Sequence, residues 1–66
     1  MNSKKISERL LKLRGDTPRT IIAKEVGVST SALAMYETGK RIPRDDIKVA
    51  LAKKYKTSVE KIFFTP

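Results

Sequence analysis

Gly15, Gly27 and Gly39, together with Pro18, Pro43 and Pro66, cut the chain into short segments, and that punctuation decides what it can fold into. No segment alternates apolar and polar residues for long enough to make a strand, whereas each carries apolar residues at helical spacing. Ser3 is placed to cap a first helix over about 4–14, with Ile6, Leu10 and Leu13 as its apolar stripe. Thr17-Pro18 supplies a cap and a first helical residue for a second helix over about 18–26, with Ile22, Ala23 and Val26 inward. Ser29 caps a third helix that runs to about Thr38, and Val28 with Leu33 has the spacing of a hydrophobic staple. Asp45 and Asp46 suit the positive end of a fourth helix, whose expected stripe is Ile47, Ala50, Leu51 and Tyr55. Thr57 and Glu60 have capping-box spacing for a fifth, over about 58–63, that carries Val59, Ile62 and one of Phe63 or Phe64 to the core. The expectation is an all-α domain of five short helices spanning residues 1–66.

A chain of 66 residues buries only roughly 60% of its unfolded surface and has no room for a deep catalytic cleft beside its core. It contains no His and no Cys, so the usual zinc ligands, a thiol nucleophile and an imidazole acid/base are all missing. No metal, no cofactor and no enzymatic activity are therefore expected. There is no apolar run for a membrane span and no apolar signal-peptide core, which points to a soluble, cytoplasmic domain without a membrane partner. The net charge is +8, from 15 Lys+Arg against 7 Asp+Glu, and such a surplus attracts polyanions. It lies in the flanks: residues 1–14 carry +4 and residues 40–66 carry +5, while 15–39 carry −1.

The segment from Pro18 to Pro43, PRTIIAKEVGVSTSALAMYETGKRIP, has the make-up of a helix-turn-helix. Ala23 is small where two helices would cross, Gly27 supplies a left-handed turn, and Val28 fills the gap between the helices. Leu33 anchors the third helix to the core. From Ala23 to Pro43 the order A-x-x-x-G-V-S-x-S-x-L-x-x-Y-E-x-G-x-R-x-P resembles the lambda-repressor-like (Xre-type) helix-turn-helix family. LKLR in the first helix and LAKKYKTSVEKIFF at the end extend the resemblance over nearly the whole chain. It implies a compact five-helix domain that binds operator DNA, usually as a homodimer, with the third helix in the major groove. Two features depart from the pattern. The turn between the first two helices is short, and Arg19 stands where the family usually has Gln.

A helical wheel turns Leu33 and Tyr36 inward and leaves positions 30, 31, 34, 35 and 38 outward. The resemblance assigns base reading to Thr30, Ser31, Ala34 and Met35. None of these is Arg, Gln or Asn, so the hydroxyls would bond base edges, while Ala34 and Met35 would touch thymine methyls. The alternative is that small side chains merely let the helix approach, with sequence read through water or DNA shape. Arg19, Ser29, Lys40 and Arg41 are assigned to phosphate and Arg44 to the minor groove. Arg14 and Glu37 are assigned to an ion pair clamping the first helix to the end of the third. Lys48, Lys53, Lys54, Lys56 and Lys61 are expected on a solvated face. Ile62, Phe63 and Phe64 are the candidates for a dimer interface, against fold-back onto the same monomer.

The leading expectation is a dimeric transcriptional repressor from a bacterium or phage, acting by occupying double-stranded operator DNA on the nucleoid. A protein anti-repressor or effector is a further candidate partner. The rival expectation is an antitoxin-like protein-interaction module whose DNA binding is secondary.

Overall fold

A computed structural model describes residues 2–66 of the chain. The elements run α1 (Ser3–Arg14), α2 (Arg19–Val26), α3 (Thr30–Glu37), α4 (Asp45–Lys54) and α5 (Glu60–Phe64), the last a single π-helical turn. Among the described residues there is no strand. α1 packs on α3 and α5, while α2 packs on α3 and α4. Their shared core is Ile6, Leu10, Ile22, Ala23, Val26, Leu33, Tyr36, Ile47, Leu51, Ala52, Ile62 and Phe63. The all-α, five-helix expectation holds.

Local chemistry sets the helix ends. The cap of α1 is Asn2, not Ser3: its side chain accepts the Lys5 N–H at 3.1 Å, and Ser3 already lies in the first turn. Pro18, not Thr17, occupies the cap of α2, and no side chain caps that end. The Thr17 carbonyl instead accepts Arg14 Nη1 at 2.9 Å. α2 stops at Gly27, whose φ of 82° is left-handed, and Val28 N–H then reaches back to the Ala23 carbonyl at 2.9 Å. Ser29 caps α3 by accepting the Ala32 N–H at 3.0 Å. Before α5 the Ser58 hydroxyl accepts the Lys61 N–H at 3.1 Å, one residue on from the expected Thr57–Glu60 box, while Val59 holds the cap position without a side-chain bond.

Several side chains sit differently from what the sequence led one to expect. Leu13 is 40% exposed, because the inner face of α1 is turned toward α3, which brings Ser7 and Arg14 inward and swings Leu13 to the edge. On α4 the buried row includes Lys48 and Ala52, leaving Ala50 and Tyr55 half-buried against the core. Lys48 is thus not on a solvated face. It is 7% exposed, with its ammonium 3.3 Å from Asp45 Oδ1 and 5.8 and 5.3 Å from the ring centres of Phe63 and Phe64. Its methylene stem lies in apolar surroundings while two aromatic faces and a carboxylate hold the charge. Lys54 also has a partner, Glu25 Oε1 at 2.8 Å, which ties α4 to α2.

The two terminal aromatics separate. Ile62 and Phe63 are inside the monomer's own core, each 2% exposed. Phe64 is 56% exposed. Of the three side chains expected at a dimer contact, Phe64 alone faces outward.

α4 ends with Lys56 in the left-handed region, at φ 56°, while Thr57 N–H closes onto the Ala52 carbonyl at 2.9 Å. This is the arrangement that Gly27 makes at the end of α2, here forced on a residue with a Cβ. Lys56→Gly relieves that strain and partly offsets it by loosening the unfolded chain, so a net gain of about 0.5–1 kcal/mol is expected in chemical denaturation. A loss of stability would show that the Lys56 side chain contributes contacts of its own.

Candidate nucleic-acid interface

The outward face of α3 is positioned from behind. Leu33 and Tyr36 anchor the helix to the core, and Glu37 closes its last turn with a carboxylate that is 1% exposed. Arg14 Nε donates to Glu37 Oε2 at 2.8 Å, which forms the ion pair between α1 and α3. Arg19 Nε donates to Glu37 Oε1, also at 2.8 Å. One buried carboxylate is thereby shared between two guanidiniums from two other helices. Sequence reasoning placed Arg19 on phosphate and did not find this bond. The available signal was that Glu37 is the sole charged residue of α3 and that the usual Gln before it is an Arg.

Tyr55, from the end of α4, completes the surroundings. Its hydroxyl oxygen is buried without a hydrogen-bond partner among the described residues. Burial, joined by the negative field of Glu37 and opposed by Arg14, pushes its phenol up to about 12.

Thr30, Ser31, Met35 and Thr38 are exposed on the far side of α3, with Ala34 half-buried beside them. The Thr38 hydroxyl is turned back onto the Ala34 carbonyl at 2.8 Å, so it is engaged within the helix. Thr30 and Ser31 have no side-chain hydrogen bond within the described chain and are free to meet a ligand. The face carries no charge, and its ends carry cations. Lys40 and Arg41 follow α3, exposed and outside any ion pair among the described residues. Arg44 is also exposed, and its Nε lies 3.7 Å from Asp46 Oδ1, a loose surface contact. Ser29 spends one lone pair on its cap and keeps its O–H to donate. Arg19 spends Nε on Glu37 and keeps its two terminal nitrogens. An uncharged, exposed helix face bordered by exposed cations can enter a groove whose walls are anionic. Among the described residues no group of His, Cys, Asp or Glu could hold a metal ion, and no helix is long and apolar enough to cross a membrane.

Two measurements test this bracing. Glu37→Ala leaves two guanidiniums facing an apolar gap and should lower the unfolding free energy by about 3 kcal/mol, the low end for a broken buried pair because both arginines reach solvent. Arg19→Ala should cost about 1 kcal/mol or less, since its partner keeps Arg14. Equal losses would mean that Arg19, not Arg14, carries the clamp. In a Tyr36→Phe variant Tyr55 is the one remaining tyrosine. Ultraviolet titration should then show phenolate forming near 12 instead of 10. The unfolded phenol ionises first, so stability holds below a pH of about 10 and falls as the pH rises toward about 12. A midpoint near 10 would place the hydroxyl in water.

The helix-turn-helix family model matches residues 8–62, from the first turns of α1 to the core residue Ile62. The fold is similar to that of the SOS-response transcriptional repressor LexA from Eubacterium rectale, with a TM-score of 0.86 at 25% identity over 92% of this chain and 67% of that one. It is also similar to the DNA-binding domain of the P22 C2 repressor, with a TM-score of 0.83 at 26% identity over 94% of this chain and 84% of that one. Among curated proteins no match is found. With the matched residues running through all five helices, the chain belongs to the lambda-repressor-like helix-turn-helix family.

Proposed function

We propose that this chain is a DNA-binding transcription regulator that reads double-stranded operator DNA with α3 and represses by occupying the promoter. The observation that carries the reading is the division of labour on α3. Its inner side chains are engaged in the fold, and its outer ones, Thr30, Ser31, Ala34 and Met35, carry no charge, with Thr30, Ser31 and Met35 exposed. Arg19, Ser29, Lys40, Arg41 and Arg44 surround that face with donors for phosphate and the narrow minor groove. Family membership and the likeness to two repressors support the same conclusion.

In this reading the cations supply affinity that depends on salt and not on sequence, while α3 supplies the choice of site. Two copies pair through the exposed ring of Phe64, and their α3 helices enter major grooves about 34 Å apart, one turn of DNA. Burying such a ring is worth roughly 1.5–3 kcal/mol per copy, enough to matter in a small symmetric contact.

Selection from random duplex DNA should return a site with two half-sites so spaced, and log K should fall steeply with log salt. Lys40→Ala should weaken all sequences alike and reduce the salt slope by about 0.9 per subunit, whereas Thr30→Ala should relax preference at one base pair. A flat salt response would sink the DNA-binding reading. Phe64→Asp should turn a dimer seen by light scattering into a monomer that keeps its helical circular dichroism, with a lower unfolding midpoint because the pairing contact and the ring beside Lys48 are both lost. If the wild-type chain is monomeric with and without its selected site, pairing through Phe64 is wrong.

A further inference from the structure

A second cationic surface lies away from α3. Arg9, Lys12 and Leu13 of α1, with Thr57, Lys61 and Ile62 at the approach to and within α5, line an open groove of about 530 Å³. No residue of α2, α3 or α4 contributes to it. Its floor is apolar, with Ile62 beneath and the displaced Leu13 at its wall. Its rim is basic: three of the six lining residues are cations and none is a carboxylate. Lys12 and Lys61 have no ion-pair partner among the described residues. Arg9 is rigidly placed, since Nη1 donates to the Ile62 carbonyl at 2.9 Å and Nη2 to the Pro66 carbonyl at 3.1 Å.

We propose that this groove docks an acidic segment of a second protein, one that inserts a bulky apolar side chain between flanking carboxylates. The two halves of the surface each select part of that occupant. The rim attracts negative charge, and the exposed Leu13 over Ile62 favours an apolar tip that a sugar-phosphate backbone does not offer. A groove of this volume takes one or two large side chains, not a folded domain. The site shares no residue with the face assigned to DNA, since Arg19, Lys40, Arg41, Arg44 and the outer side chains of α3 do not line it, although its α1 wall also packs on α3. It therefore fits a partner that acts on the chain while DNA is bound. Its wall includes α5, whose last residue is the exposed Phe64, so a segment seated there touches the element that carries the pairing contact.

The test uses the full chain, isotope-labelled for amide NMR, and a short peptide of aspartates and glutamates around two leucines. Saturable shifts should concentrate at Lys12, Leu13, Thr57 and Lys61. Replacing the peptide's leucines by serine should weaken binding about tenfold or more, the loss expected for one buried apolar side chain. Leu13→Ser and Lys61→Gln should each weaken it several-fold while the chain stays folded, Lys61→Gln with an unchanged unfolding midpoint and Leu13→Ser with a modestly lower one, since Leu13 is 40% exposed. Duplex DNA added to the complex should shift α3, Lys40 and Arg41 without displacing the peptide. The proposal is overturned if no shifts appear, if they spread over every cationic segment, or if they follow peptide charge without regard to leucine. It is equally overturned if duplex DNA alone shifts the groove amides, which would make the surface a second nucleic-acid contact. A chain that binds no DNA but binds the leucine peptide would fail the operator reading and leave the groove standing.

Discussion

The carboxylate of Glu37 is the point on which the rest of the domain is hung. It has been taken almost wholly out of water, a change that costs several kcal/mol unless the charge is met in kind. Arg14 and Arg19 meet it from two different helices, each through a charge-assisted bond of 2.8 Å. Apolar contacts between α1, α2 and α3 would hold these helices together but tolerate sliding. A planar guanidinium facing a buried oxygen does not. The triad thus adds direction to a core that supplies most of the cohesion, and it does so at the end of α3, the helix whose angle to the surface matters most. Burial first and this carboxylate second raise the Tyr55 phenol, so α4 lies within its field as well.

The shape of the domain was legible in its sequence because local chemistry sets it. Gly27 and Gly39 are needed where the chain turns left-handed, at φ 82° and 75°. Ser29 caps because a hydroxyl at that position can accept an N–H three residues on. The inner row of α3 was equally plain for Leu33 and Tyr36, which recur at helical spacing before a stop, while the resemblance supplied Glu37. What escaped were matters settled by neighbours distant in sequence. Leu13 and Arg14 are adjacent rows on one helix, and which of them turns inward depends on where α3 lies. Lys48 reads as a surface lysine until Phe63 and Phe64 are folded over it from α5. Arg19 reads as a free cation until Glu37 is brought beside it. In each case the missing information was the identity of the facing side chain, which periodicity within one helix does not contain. The outward side chains of α3 were legible as outward, and the resemblance supplied their reading role.

Charge in this molecule is also more divided than a net +8 conveys. Arg14, Arg19, Lys48 and Lys54 are fastened to carboxylates and work inside the fold. Lys40, Arg41 and Arg44 border α3. Arg9, Lys12 and Lys61 border a groove on other elements. The Lys48 ammonium is the least obvious of these, because its aromatic neighbours hold it where a leucine would ordinarily sit. One of those neighbours, Phe64, is at the surface, so a buried cation helps to fix an exposed ring.

The independence of α3's two sides has a consequence for how such a chain can change over time. Thr30, Ser31, Ala34 and Met35 sit outside the core cluster, and the helix is held by residues on its other side and by its own cap. Exchanges at the exposed Thr30, Ser31 and Met35 therefore leave the folding equilibrium almost untouched, within the few tenths of a kcal/mol typical of surface positions. Selection can explore new target sequences there without first passing through unfolded variants. A domain of marginal size, with little stability to lose, keeps its evolutionary freedom in the one place where freedom alters what it recognises.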